Sequence, residues 1–424
     1  MRATFLHMAD CHLGYRQYNS RERQNDFTRA YLEIIDVAID KKVDFVLLAG
    51  DLFEKRAIDP LTLVHAINGL ERLKEAGIPC LAVEGNHELA YFRDSIGWVR
   101  FLAERELLTL LNPKIDGDQV ELPPSDGRGG AYVEPVPGLR VYGMRYLGSA
   151  TAAVVQRLAD AMGAVDRKGI EYTIFMAHAG VEGVIDRAGG AISHRELAPL
   201  RPHVDYLALG HIHKSYEFDD WIYNPGSPET NSLMEADWPE RGYYLVEVDT
   251  EAEPMHRPAL HANPRRAFER LFFKVDACET PAQLLEACQG YVARQRRQFM
   301  GKKPVVELRL SGVLPFDRGA LRLDEIVRMI EDQYQPLLCF VRDGTRAAAF
   351  AVEDDQQLSR PALERRIISD LLERDNRFRA RSSEWTELAL AIKQLAVSGA
   401  SADAILEELA RGRERVVQGE GLPC

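Results

Sequence analysis

Five short polar signatures stand out by residue type and spacing: Asp10-Cys11-His12, Gly50-Asp51, Gly85-Asn86-His87-Glu88, His178, and Gly210-His211-Ile212-His213. Each follows an apolar, strand-like run, at residues 4–9, 43–49, 79–84, 172–177 and 204–209. Together they offer seven oxygen and nitrogen donors: Asp10, His12, Asp51, Asn86, His178, His211 and His213. Loops at the carboxyl ends of strands in an α/β sheet form its usual ligand site, so five such ends can deliver all seven to one pocket. A mixed imidazole and carboxylate inventory suits Mn, Fe or Zn better than Ca. Two divalent ions sharing Asp51 would activate a water and neutralise phosphate charge. His87, beside Asn86, is then free to contact a phosphoryl oxygen or protonate a leaving oxygen. These observations imply a two-metal phosphoesterase.

Taken singly, each signature is weak, because a lone His or Asp at a strand end is more often a cap or a surface residue. Gly-Asn-His-Glu and Gly-His-x-His are more specific. Coincidence of all five in this order is roughly a few per cent or less. On an extended strand end, Asp10 and His12 point the same way, as do His211 and His213, while Cys11 turns to the opposite face.

Helices and strands alternate around these signatures. Phe27, Tyr31, Ile34, Ile35 and Ala38 form one helical face within 26–41, and Leu61, Val64, Ile67 and Leu70 another within 61–76. Gly77 follows as a stop signal. Residues 116–138 read as loops joining short strands, 139–146 and 243–248 as strands, and 251–264, with its Pro and Ala, as a linker. A smaller α/β unit is expected over 265–350 and a helical region over 359–412. In the latter, Leu363/Ile367/Leu371, Trp385/Leu388/Ile392/Leu395 and Ile405/Leu406/Leu409 form three apolar stripes too small for an independent core.

The chain of 424 residues has room for two or three domains, and its 46% hydrophobic and 28% charged content is that of an ordinary globular protein. A formal net charge of −12 argues against an indiscriminate nucleic-acid coat, though not against a local basic groove. Six scattered cysteines without a Cys-x-x-Cys pair make a zinc ribbon or a disulfide framework unexpected and favour a reducing cytoplasm. No export signal or membrane span is expected.

The five signatures resemble those of the calcineurin-like metallophosphoesterase superfamily. The longer strings Leu6-His7-Met8-Ala9-Asp10-Cys11-His12-Leu13-Gly14, Ala49-Gly50-Asp51-Leu52-Phe53 and Asn224-Pro225-Gly226-Ser227-Pro228-Glu229 resemble the DNA double-strand-break repair nucleases of the meiotic recombination eleven type, called SbcD in bacteria. The resemblance covers 2–249 and implies a four-layer metallophosphoesterase β-sandwich flanked by helices (residues 1–250), a small α/β capping domain and a helical tail. It implies one ion on Asp10, His12, Asp51 and His213, and a second on Asp51, Asn86, His178 and His211, with manganese first among the candidates and His87 as the catalytic histidine. Some relatives carry a second active-site histidine three residues past the bridging aspartate, where this chain has Glu54.

The resemblance further implies exonuclease and endonuclease activity at DNA ends, a homodimer built near 59–73 and 95–106, and a tail that grips an SMC-like ATPase, SbcC in bacteria. DNA phosphates would meet Arg16, Arg21, Arg23 and Arg93, or the cluster Arg294, Arg296, Arg297, Lys302 and Lys303; solvated surface side chains are the plain alternative. A small-molecule phosphodiesterase or phosphatase on the same scaffold, or a non-catalytic repair scaffold, are the rival readings.

Overall fold

The computed structural model describes residues 1–90, 96–185, 191–238, 240–296, 302–347, 359–374 and 377–418. Two sheets dominate. In the first, the strands run in the order His256–Ala262, Gly242–Asp249, Arg2–Met8, Phe45–Leu48, Cys80–Ala82, Thr109–Leu111, Gly129–Gly130. In the second, the order is Tyr216–Phe218, Ile222–Asn224, Tyr206–Gly210, Tyr172–His178, Leu139–Met144, Tyr132–Val136. Within each sheet the strands before the signatures run parallel to one another, with Met8 opposite Leu48, Leu48 opposite Ala82 and His178 opposite Gly210. Parallel register makes them end together, so the loops after them open on one rim.

Alternation along the strands sorts the core into layers. Phe5, Ala9, Phe45, Leu47 and Leu81 face Val141, Ile174, Met176, Tyr206 and Ala208 of the second sheet. The opposite positions Leu6, Met8, Val46 and Leu48 face outward, against Tyr31, Ile34, Ala38, Leu70 and Leu73. Those partners belong to the helices Arg21–Asp40 and Pro60–Glu75, whose first turns are capped by the side chains of Ser20 and Asp59. On the far side the helix Thr151–Ala164 lays Val154, Val155, Leu158 and Met162 against Phe175, Leu207 and Leu209. The result is helix, sheet, sheet, helix, the expected four layers. His7, on an inward position, is fully buried between Tyr206 and the Leu209 carbonyl, and burial drives its pKa down to about 3.

The linker expected over 251–264 is instead the edge strand His256–Ala262, antiparallel to Gly242–Asp249. Its exposed alternation and Pro258 hide it from a hydrophobic reading, and an edge is where a strand tolerates proline.

By contacts the chain divides into two compact units: Met1–Phe273 with Leu285–Leu310 and Arg322–Asp343, and Lys274–Leu284 with Ser311–Leu321 and Gly344–Cys424. A three-stranded sheet, ordered Phe268–Lys274, Val305–Leu314, Leu338–Ala347, accompanies the helices Pro281–Gln295 and Leu323–Tyr334. In the second unit the helices Arg360–Arg374, Ser382–Val397 and Ala402–Gln418 pack on one another. Leu388 and Val416 are buried there, so the tail shares a small core that its separate stripes did not suggest. Ile367, Leu371, Val397, Leu406 and Leu409 stay exposed.

Phe45 is fully buried and stacks on Phe5 at 5.2 Å. Phe45→Ala should destabilise the protein by about 3–5 kcal/mol in urea unfolding; a loss below ~1 kcal/mol would show that this part of the layer between the sheets is loosely packed.

Candidate metal centre

All seven donors, and His87, meet on the rim where the parallel strands end, within the first unit. Strand alternation is not what aims them. Asp10, His12, Asp51 and His211 have φ of 54°, 48°, 52° and 89°, the left-handed region that non-glycine residues avoid. Each such residue costs about 1–3 kcal/mol and persists only where its surroundings over-determine it. Here Asp10 N donates to Gly50 O, His12 N to Asp51 O and Leu13 N to Leu52 O, so the first two loops continue pairing past their strands. Cys11, as expected, turns away into the helix-side core.

Two glycines allow the loops to close in. A Cβ on Gly85 would lie 2.0 Å from Asp51 Oδ1, and one on Gly210 would lie 2.2 Å from the Ala49 carbonyl. Side chains then cross-link the loops: His211 N donates to both Asp10 oxygens at 3.0–3.1 Å, and His87 N donates to Asp51 Oδ1 at 3.0 Å.

The donors form two sets around Asp51. On one side, His12 Nε2 lies 3.1 Å from His213 Nε2 and 4.0 Å from Asp51 Oδ2, and His213 Nε2 lies 3.9 Å from Asp10 Oδ1. On the other, His178 Nε2 lies 3.2 Å from Asp51 Oδ2 and 3.1 Å from Asn86 Oδ1, which is 2.9 Å from His211 Nδ1. Two imidazole nitrogens 3.1 Å apart can share only one proton. Two ligands about 2.1 Å from one ion are spaced about 3.0–3.4 Å apart, so the residues fit a cation on this side. Asp10, His12 and His213 place one donor atom each within 4.8 Å of the others, and so do Asp10, Asp51 and His178.

The outer ring nitrogens fix the tautomers. His178 Nδ1 donates to Ala49 O at 2.8 Å, and His213 Nδ1 to Glu235 Oε1 at 2.9 Å. His87 Nδ1 donates to Glu54 O at 2.7 Å, which turns Nε2 towards the pocket, 4.0 Å from Asp51 Oδ2. The His87 side chain is 35% exposed, open to an incoming ligand where the donors are closed. Burial disfavours the Asp51 charge, but the imidazoles of His178, His12 and His87 hold its pKa well below the usual carboxylate range. Burial also opposes a proton on His178, and the Asp51 carboxylate overrides it, to a pKa of about 9. His211 is driven down to about 4 by burial and by His178.

Three contributors had no role assigned to them from the sequence. Glu88 is buried, and its carboxylate accepts from the backbone N–H groups of Gly85 (3.0 Å), Asp51 (3.2 Å) and Phe53 (2.9 Å). Burial, then the charge of Asp51, pushes its pKa up to about 8. Glu235 backs His213 and is itself held by Arg241 at 2.9 Å. The Tyr146 ring lies 5.1 Å from that of His211. Only Glu88 carried a sequence signal, its place directly after His87.

The candidate DNA contacts divide. Arg16, Arg21, Arg294 and Arg296 are exposed. Arg23 is not a surface residue: it is fully buried, paired with Asp26 at 2.6 Å and Glu229 at 3.1 Å, because Gln17, Glu229 and the Thr230 carbonyl close around its guanidinium. Arg93 and Arg297 lie outside the described residues.

A family model described as Calcineurin-like phosphoesterase matches residues 3–215, half of the chain, a span within which the seven donors lie. The chain is 30% identical over 251 residues to the DNA double-strand break repair protein Mre11 of Saccharolobus solfataricus, covering 57% of this chain and 59% of that one. It is 32% identical over 251 residues to the protein of the same name from Archaeoglobus fulgidus, covering 55% and 51%. With the Sulfolobus acidocaldarius protein of that name the figures are 25% over 324 residues, 74% and 77%. The chain thus spans between half and three fifths of the length of the first two relatives.

Glu88→Ala would strand three buried N–H groups, at about 1–3 kcal/mol each. The metal-free protein should lose roughly 3 kcal/mol or more in denaturant unfolding, and Glu88→Gln, which keeps a carbonyl acceptor, should lose less. Equal losses in the two variants would show that the acceptor role is unimportant.

Proposed function

The chain belongs to the calcineurin-like phosphoesterase family, and from that premise we propose that it is a two-metal nuclease that hydrolyses phosphodiester bonds at DNA ends. The observation that carries this reading is the pair of donor sets sharing Asp51, with His87 beside them and in neither. We assign Asp10, His12, Asp51 and His213 to one ion and Asp51, Asn86, His178 and His211 to the other, with manganese as the first cation to test. Two such ions, when bound, would supply an activated water and neutralise phosphate charge. Asp51 Oδ2 faces both sets, while Oδ1 accepts from the His87 N–H. Nδ1 of His87 is committed to the Glu54 carbonyl, so Nε2 is the nitrogen from which the protonated ring can hand a proton to the leaving oxygen. The relatives' name, DNA double-strand break repair protein, favours DNA over a small phosphoester. The complete donor set argues against a non-catalytic scaffold.

DNA would run past the exposed Arg16, Arg294 and Arg296, whose charges suit a phosphate backbone. A homodimer would use the helices Pro60–Glu75 and Trp98–Glu104, the first of which exposes Leu61 and Val64. The exposed face of the tail would receive the helices of an SMC-like ATPase. Among the described residues no helix is long and apolar enough to cross a membrane. A reducing cytoplasm is the compartment that its scattered cysteines suggest.

The deciding assay runs linear DNA and a generic phosphatase substrate side by side in Mn²⁺. Asp51→Asn should abolish DNA cleavage and lower the bound metal, since one carboxylate serves both ions. His87→Gln should keep both ions by elemental analysis and lose about 10²–10⁴ in rate. Loss of both metals from the His87 variant would place that residue among the ligands, and cleavage of the phosphatase substrate alone would favour the small-ester reading.

Tail variants test the partner. Leu388 is buried, so charging it would unfold the helices and prove nothing. Ile367→Glu with Leu371→Glu, on exposed positions, should abolish co-purification with the ATPase while the manganese-dependent cleavage persists. Undiminished co-purification would remove the tail from the interface.

A further inference from the structure

His12 is 1% exposed, and its Nδ1 has no hydrogen-bond partner, although Glu54 Oε2 stands 2.9 Å away. The contact is short but out of line with the ring N–H direction. Among the described residues no other acceptor reaches that nitrogen. The charge of a carboxylate this close to the outer nitrogen of a ligand-type histidine favours the proton on that side, which leaves the inner nitrogen as a lone-pair donor. The Glu54 side chain is 15% exposed, so it is largely enclosed with the ring. Its backbone carbonyl holds His87, so one residue touches both rings by different atoms.

The two halves of the pocket differ in this respect. In the half made by Asp10, His12 and His213, both histidines have carboxylates on their outer nitrogens: Glu54 behind His12, Glu235 behind His213. In the other half, His178 has only the neutral carbonyl of Ala49 behind it. Carboxylate-backed imidazoles hold a cation more tightly, and removing such a partner typically costs 10–100-fold in affinity.

We propose that Glu54 is the positioning residue of His12 and that, with Glu235, it makes the Asp10/His12/His213 half the tighter of the two cation sites. This rests on the two-metal reading above and goes further by ranking the sites and naming the residue that sets the rank. An uncharged side chain at position 54 would leave His12 without its charged partner.

The test is binding, not turnover. Metal-free protein is titrated with Mn²⁺ by calorimetry, and the bound ion is followed by electron paramagnetic resonance. Wild type should show two classes of site. Glu54→Ala should weaken the tighter class by about 10–100-fold, with Glu54→Gln, which keeps an acceptor oxygen, in between. Asn86→Ala should affect the weaker class alone. Should Glu54→Ala fail to fold, as judged by the unfolding midpoint of the metal-free protein, the glutamine variant carries the comparison. An unchanged tight class in a folded Glu54 variant, or two equal sites in wild type, would overturn the proposal. If wild type bound no Mn²⁺ at all, the two-metal reading itself would fall.

Discussion

Asp51 keeps a negative charge where almost no water reaches it, and much of the pocket is arranged around that cost. Desolvation alone would neutralise a carboxylate there. Three imidazoles hold its charge in place, and the N–H of His87 donates to one of its oxygens. The residue itself sits in a left-handed conformation, pinned on one side by the pairing with His12 and on the other by Glu88. Charge and backbone strain are therefore borne by the same few loops, and each loop needs its neighbours to stay as it is. That mutual dependence is how a site made from distant parts of the chain acquires one geometry.

Much of this was readable in the sequence for a plain physical reason. The donors follow buried parallel strands, and such strands appear as unbroken apolar runs. The run before Gly50-Asp51 and the one before His178 mark their own ends, and the polar signature begins where the apolar run stops. The helices Arg21–Asp40 and Pro60–Glu75 were equally visible, because their inner faces recur at helical spacing.

What was hidden lies in features with no local pattern. The left-handed backbone at Asp10 and His12 gives the same convergence that strand alternation would, so the outcome looked right for the wrong reason. Glu235 lies far along the chain from His12 and reaches His213 only after folding. Arg23 reads as a surface charge until Asp26, Gln17 and Glu229 close around it. The edge strand His256–Ala262 is exposed on alternate residues and carries a proline, and nothing but its partner strand makes it extended. In the tail the stripes were visible, but not which of their residues would be spent on one another, as Leu388 is.

The position of the first strand has a consequence for how the chain is made. Arg2–Met8 is central to its sheet, and its neighbour on one side is Gly242–Asp249, with Arg2 opposite Asp249. On a ribosome adding 5–20 residues per second, the first strand emerges on the order of ten seconds or longer before that neighbour exists. Phe45–Leu48 arrives early and can pair with it from the other side, but one edge of a very apolar strand stays open in the meantime. Unpaired edges of this kind are where nascent chains associate with each other. The same delay applies to the pocket, whose donors run from Asp10 to His213 with Glu235 behind them, so the nascent chain has no complete cation site until most of the first unit has left the exit tunnel.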